Sequence, residues 1–141
     1  MIKRIYADNA ETTALSPKVL DAMMPYLTDN FGNPSSIYAE GRTSKTAIEK
    51  AREQVATAIG ADPKEIYFTG SGSEADNWAI RSVAKSMANK GRHIITSAVE
   101  HHAVLHTCQD LEKQGYEVTY LPVDEYGMVS PEAVKAAIQQ Y

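Results

Sequence analysis

Residues 65–80, EIYFTGSGSEADNWAI, and the following SAVEHHAVLHT at 97–107 constrain the fold of this chain more than any other stretch. Glu65–Thr69 carries the β-rich residues Ile66, Tyr67 and Phe68 and reads as a strand, which runs into the tight turn Gly70-Ser71-Gly72-Ser73. Ser73 or a neighbour then begins a helix on which Ala75, Ala79, Val83 and Met87 repeat every four residues, with Ile80 and Ala84 widening the stripe. Gly91 closes that helix. HIITSA, from His93, shows little polar alternation, as the buried middle of a parallel sheet requires. A helix over His102–Lys113 follows from the period of Leu105, Cys108 and Leu111, Gly115 ends it, and YEVTYLPV gives a third strand. SPEAVKAAIQQY opens with a Ser-Pro-Glu helix signal. The resulting βαβαβα order predicts an α/β fold with a mainly parallel sheet covered by helices.

Ahead of this block, IYADNAETTALSP reads as a short strand breaking into a polar turn, with Ser16 as N-cap and Pro17 at an early helical position. Val19, Leu20, Met23, Met24 and Leu27 form a helical stripe that Pro25 bends or ends. DNFGNPSSIYAEGR is rich in turn formers and has no period; such a segment lines a site or covers a surface. A helix over Thr43–Ile59 presents Ala47, Ile48, Ala51, Val55, Ala58 and Ile59 on one side, with Gly60 as its terminator.

Composition narrows the function classes. A chain of 141 residues with 43% hydrophobic and 23% charged residues builds one core, not two. The formal net charge of -4 implies no dominant basic face and so argues against nonspecific nucleic-acid binding. No signal-peptide-like or membrane-length apolar run is present, so no membrane role is expected and a cytoplasmic setting is the default. The single cysteine, Cys108, excludes an intrachain disulfide and fits a reducing compartment.

The glycine turn has the chemistry of a phosphate cradle. Glycine permits close backbone approach, the start of the helix offers free N–H donors, and Ser71 and Ser73 add hydroxyls. The same residues also serve as an ordinary strand-to-helix turn capped by Ser73. Glu74 favours the positive end of the helix dipole and would repel a phosphate if turned inward, so it is expected to face away. Gly70-x-Gly72-x-x-Ala75 matches a loose dinucleotide fingerprint, but that reading needs the turn in the first βα unit and an acid ending the next strand, where Glu100 is the only acid nearby. His101 and His102 can stack on a planar ring or move protons; equally, they can cap the following helix. His102 and His106 have metal-permitting spacing but lack a third ligand. Cys108 lies on an apolar stripe and reads as a buried thiol, and Trp78 and the methionines read as core.

Taken together, YADNAETT, FGNPSS with the later GR, EIYFTGSGSEADNWAI, HIITSAVEHHAVLHTC and GYEVTYLPVDEYG resemble the cysteine desulfurase family of class V aminotransferase-like pyridoxal-phosphate enzymes. The resemblance runs over essentially the whole chain and corresponds to the N-terminal third of a family member. It implies the N-terminal part of the large domain of the aspartate aminotransferase fold (fold type I), with residues 1–15 forming a strand and polar loop near the small domain and the site mouth. Residues 16–141 would then belong to an incomplete cofactor-binding large domain. It further implies pyridoxal 5'-phosphate as cofactor, with Gly72 and Ser73 at its phosphate, and His101 stacked on its ring and assisting proton transfer. Asn9, Thr12 and Asn33 would lie at the mouth. Glu11 and the serines of the glycine turn depart from the family's usual residues.

The resemblance also implies conversion of L-cysteine to L-alanine and a persulfide, feeding iron–sulfur cluster or thio-cofactor assembly through a sulfur acceptor or scaffold protein, in a homodimer. The cofactor-bearing lysine and the mobile catalytic cysteine match nothing in this chain, which is therefore expected to be part of a longer enzyme, inactive alone, and to present a large apolar surface. Rival readings are a noncatalytic fragment or regulatory partner subunit, a selenocysteine lyase or an aminotransferase.

Overall fold

The structure is a computed structural model that describes residues 5–138. Its contacts divide the chain into two compact units, one up to Tyr67 and one from Phe68 onward.

In the first unit, helix α1 spans Pro17–Thr28 and helix α2 spans Ala39–Ile59. Pro25 neither ends nor bounds α1. It forfeits one N–H, and its carbonyl accepts from Asp29 N (3.0 Å) and Asn30 N (2.7 Å), so the helix closes a turn later than expected. α2 begins a turn earlier than its apolar period suggests because the 32–36 loop closes onto it. A Cβ on Gly41 would come within 2.5 Å of Asn33 O, and one on Gly32 within 2.4 Å of the Glu40 backbone, so only glycine permits this approach. Arg42 Nη1 donates to Ile37 O (2.7 Å) and Ser44 Oγ to Asn30 O (3.3 Å), fixing the loop on the buried side of the helix. Gly60 terminates α2 with φ 71°, as the sequence predicts. Asp62 and Glu65 then cap a single 3-10 turn over Pro63–Glu65 reciprocally.

The strand expected over Glu65–Thr69 does not form. Glu65 ends the 3-10 turn and Ile66 is extended (φ -96°, ψ 123°), but residues 66–69 join no ladder. Arg52 of α2 donates to the carbonyl of Ile66. β-rich composition supplies an extended backbone; a strand also needs a neighbouring strand to exchange hydrogen bonds with, and none is paired there. Residues 5–8 of the expected first strand likewise carry no strand, and residues 1–4 lie outside the described residues.

The second unit holds helix α3 (Gly72–Met87), strand β1 (His93–Ser97), helix α4 (His102–Lys113), strand β2 (Glu117–Leu121) and helix α5 (Pro131–Ala137). β1 and β2 pair in parallel from His93 opposite Glu117 to Ser97 opposite Leu121, with α4 as the crossover. This is the predicted α/β arrangement. Ile95 and Val118 lie on adjacent strands, while Tyr67 lies on none. α4 buries Thr107, Cys108 and Leu111, and Leu121 of β2 and Ala84 of α3 complete a small core. Tyr116 Oη donates to Ala84 O (2.8 Å), tying the entry of β2 to α3. α3 ends at Met87 rather than Gly91, whose N–H returns to Met87 O (3.1 Å). Gly115 takes φ 86° after α4, and Ser130 Oγ caps α5 by accepting from Ala133 N (3.0 Å). The last three residues of the predicted final helix lie outside the described residues.

Trp78 (49% exposed), Met23, Met24, Met87 and Met128 are not core residues. Periodicity reports which side of a helix is apolar, not whether anything covers it.

Candidate functional site

Two helix starts, those of α3 and α4, bring the central residues of the second unit together. Ser71, not Ser73, is the N-cap of α3: its Oγ accepts from Glu74 N (3.2 Å) and its carbonyl from Ala75 N (3.1 Å). The first-turn donors left over by helix geometry are the N–H groups of Gly72 and Ser73. A Cβ on Gly72 would meet nothing within 4 Å, so the approach to these donors is open. Because Ser71 does the capping, the Ser73 hydroxyl is released for another use.

Glu74 does not face away. Its carboxylate folds back over the turn and accepts from Gly70 N at 2.6 Å, taking up that donor and setting a negative charge that opposes an anion on the Gly70 side, so that the N–H groups of Gly72 and Ser73, on the helix side, are the donors left to an anion. The Thr69 hydroxyl donates to Ser71 O (3.1 Å), which fixes the turn from its other side.

His101 is the N-cap of α4, with Nδ1 accepting from Ala103 N at 3.1 Å. A ring nitrogen that accepts is unprotonated, so the ring proton sits on Nε2. The ring thus has a fixed tautomer and an exposed face. His102 stacks on His106 (centroids 5.2 Å apart, 21° between planes) and tilts against His101 at 6.1 Å. Among the described residues, no group of three or more metal-ligating side chains exists.

Ser73 and His101 line one concavity of about 320 Å3, together with Asn77, Arg81, His106 and Thr107. Asn77, Arg81, Thr107 and Asp110 carry no motif signal in the sequence. Arg81 Nη1 pairs with Asp110 Oδ2 at 2.6 Å, and this hydrogen bond, together with the guanidinium charge, holds the Asp110 carboxyl below the usual carboxylate range. The available signal was helical spacing: Asn77 stands four residues from both Ser73 and Arg81, on the side of α3 that meets α4.

The other predicted site residues belong to the first unit. Asn9 lies in a turn at Asp8–Thr12, where Glu11 N and Thr12 N reach Asp8 O and the Thr12 hydroxyl meets Tyr6 Oη at 2.7 Å. Asn33 Oδ1 accepts from Ser35 N (2.9 Å) and shapes the 33–36 turn. Cys108 is buried as expected, and burial pushes its thiol pKa up, which disfavours the thiolate a nucleophile needs. The dinucleotide reading fails on geometry: the strand that should precede the glycine turn is absent, and Glu100 is occupied locally by the Ser97 hydroxyl (2.9 Å).

This geometry fits a phosphorylated planar ring: two open N–H donors and a hydroxyl at a helix start, and an imidazole of fixed tautomer on the same concave wall. Comparison with known proteins points the same way. A curated cysteine desulfurase IscS of Methanosarcina thermophila is 60% identical over 137 residues, covering 97% of this chain and 34% of the relative. A solved NIFS-like protein superposes with a TM-score of 0.92 at 38% identity, covering 98% of this chain and 38% of that one. A structure of SspA in complex with cysteine gives 0.87 at 41% identity, covering 95% and 39%. The chain thus spans about a third of the length of the curated relatives it matches. The aminotransferase class-V family model matches residues 5–141, and the chain belongs to that family.

Proposed function

We propose that the complete protein, of which this chain is the N-terminal part, is a pyridoxal-phosphate-dependent cysteine desulfurase. The observation that carries this reading is the placement of Ser73 and His101 on one concave wall at the starts of α3 and α4. It is supported by the 60% identity to a cysteine desulfurase and by the likeness to a structure of SspA with cysteine. In this account the N–H groups of Gly72 and Ser73 and the Ser73 hydroxyl hold the cofactor phosphate, with the positive end of the α3 dipole adding to the attraction. The His101 ring lies against the pyridine ring, and Nε2–H is its available donor for proton transfer at the substrate. Bound there, pyridoxal phosphate supplies an electron sink for carbanion chemistry. By the resemblance, Asn9, Thr12 and Asn33 are proposed as site-mouth residues of the complete enzyme, and the N-terminal strand and polar loop as the part near its small domain.

The overall change balances simply. L-cysteine and an enzyme thiol give L-alanine and an enzyme persulfide, the substrate sulfur passing to the thiol while the carbon it leaves gains a proton. The lysine that carries the cofactor and the sulfur-accepting cysteine belong to the remaining two-thirds of the protein. A homodimer that passes persulfide sulfur to an acceptor or scaffold for iron–sulfur or thio-cofactor assembly, in the cytoplasm, completes the proposal. Among the described residues no helix is long and apolar enough to cross a membrane.

Full-length protein loaded with pyridoxal phosphate and given L-cysteine with a thiol reductant is expected to release sulfide and alanine in equal amounts. Transfer of the amino group to a keto acid without sulfide would contradict the desulfurase reading and favour an aminotransferase. Preferential release of selenide from selenocysteine would favour a lyase for that substrate.

A further inference from the structure

The Asn77 side chain uses every hydrogen bond it can make. Nδ2 donates to Ser73 O at 2.9 Å, within α3, and reaches Ala103 O at 3.5 Å, in the first turn of α4. Oδ1 accepts from the Thr107 hydroxyl at 2.7 Å and from Arg81 Nε at 3.2 Å. Arg81 can only donate, so the amide orientation is fixed by chemistry: oxygen toward Arg81 and Thr107, nitrogen toward the two carbonyls. Thr107 is 2% exposed, and its single hydroxyl proton is shared between Asn77 Oδ1 and Ala103 O, each 2.7 Å away. A polar network with every member satisfied in a part-buried place rigidifies what it joins. Here it joins the first turn of α3, which carries Ser73, to the first turn of α4, which His101 caps.

We propose that Asn77 is a positioning residue that sets the separation and orientation of Ser73 and His101, and through them the fit of a phosphate and its attached ring. This rests on the proposed cofactor site. No other side chain of similar size serves: aspartate would turn the two donors into an acceptor facing two carbonyls, and alanine would leave those carbonyls, Thr107 and Arg81 without their shared partner.

The test uses full-length protein carrying Asn77→Asp, Asn77→Ala, Thr107→Val or Thr107→Ser, with Leu111→Ala as a core-destabilised control. Pyridoxal-phosphate affinity, the 31P resonance of the bound phosphate and the unfolding midpoint are measured for each. Both Asn77 variants are expected to bind at least about tenfold more weakly with a shifted or broadened phosphate resonance. Thr107→Val should follow in the same direction, and Thr107→Ser, which keeps the hydroxyl, should restore wild-type values. Leu111→Ala should lower the midpoint and leave affinity and resonance unchanged. Wild-type affinity and resonance in both Asn77 variants would overturn the inference, as would equal weakening in Leu111→Ala at an equal midpoint, which would reduce the effect to general stability. Failure of the wild-type protein to bind pyridoxal phosphate would instead overturn the cofactor reading itself.

Discussion

At the residue scale, His101 carries two duties that substitution can separate. It caps α4 through Nδ1, and in the proposed site its ring lies on the cofactor. Asparagine is among the best N-caps, so His101→Asn keeps the helix start and removes the ring. The expected result in full-length protein is an unfolding midpoint close to wild type with activity on L-cysteine lowered by about 100-fold or more, the range for losing a positioned acid–base group. A variant that retains activity would confine His101 to capping. Asp110 offers a pH test. Its carboxyl is held below its ordinary value by Arg81, so the stability it contributes is present above that ordinary value, about 3.9, and is lost as pH falls through the lower folded value. The stability gap between wild type and Asp110→Asn should therefore be open near neutral pH and close on acidification. Denaturant midpoints taken across that range check this, and a gap independent of pH would contradict it.

At the scale of elements, the turn before α3 shows what local sequence does and does not determine. Glycines and serines before an apolar period announced a helix start, and α3 begins at Gly72. Which serine caps is not legible, because either position offers a hydroxyl; in the structure Ser71 Oγ accepts from Glu74 N while the Glu74 carboxylate accepts from Gly70 N. Ser71→Ala should remove an acceptor from Glu74 N at a cost of about 1 kcal/mol, so Glu74 amide exchange should quicken by about fivefold while α4 amides stay unchanged. Equal exchange in both proteins would mean that Ser71 is not the cap. β1, α4 and β2 are legible to within a residue or two because β1 shows little polar alternation, α4 has a firm apolar period, and Gly115 separates α4 from the β-rich run that forms β2. The 65–69 segment departs from its expected strand for a complementary reason: its side chains suit a sheet, but a ladder partner is not set by local sequence.

At the scale of the whole molecule, residues far apart in sequence had to be brought together before the site could be seen. Ser73 and His101 were individually visible as a phosphate donor and a ring platform. Asn77 and Thr107, 30 positions apart, acquire meaning only when α3 packs on α4. Side chains such as Ile5 (84% exposed) and Ile37 (89%) stand open, as do Val83, Val99 and Trp78 in part. Exposed apolar side chains on each unit favour association in water. The 141-residue chain expressed by itself is therefore expected to self-associate and bind a hydrophobic dye, whereas the full-length protein should not; a monodisperse, dye-silent isolated chain would contradict this.

The most direct measurement of the central claim is a crystal structure of the full-length protein with pyridoxal phosphate. The account predicts a phosphate oxygen at hydrogen-bond distance, about 2.7–3.2 Å, from the Ser73 hydroxyl or the N–H groups of Gly72 and Ser73, with the His101 ring face-on against the pyridine. Density placing the phosphate on other residues, with the start of α3 free, would contradict it.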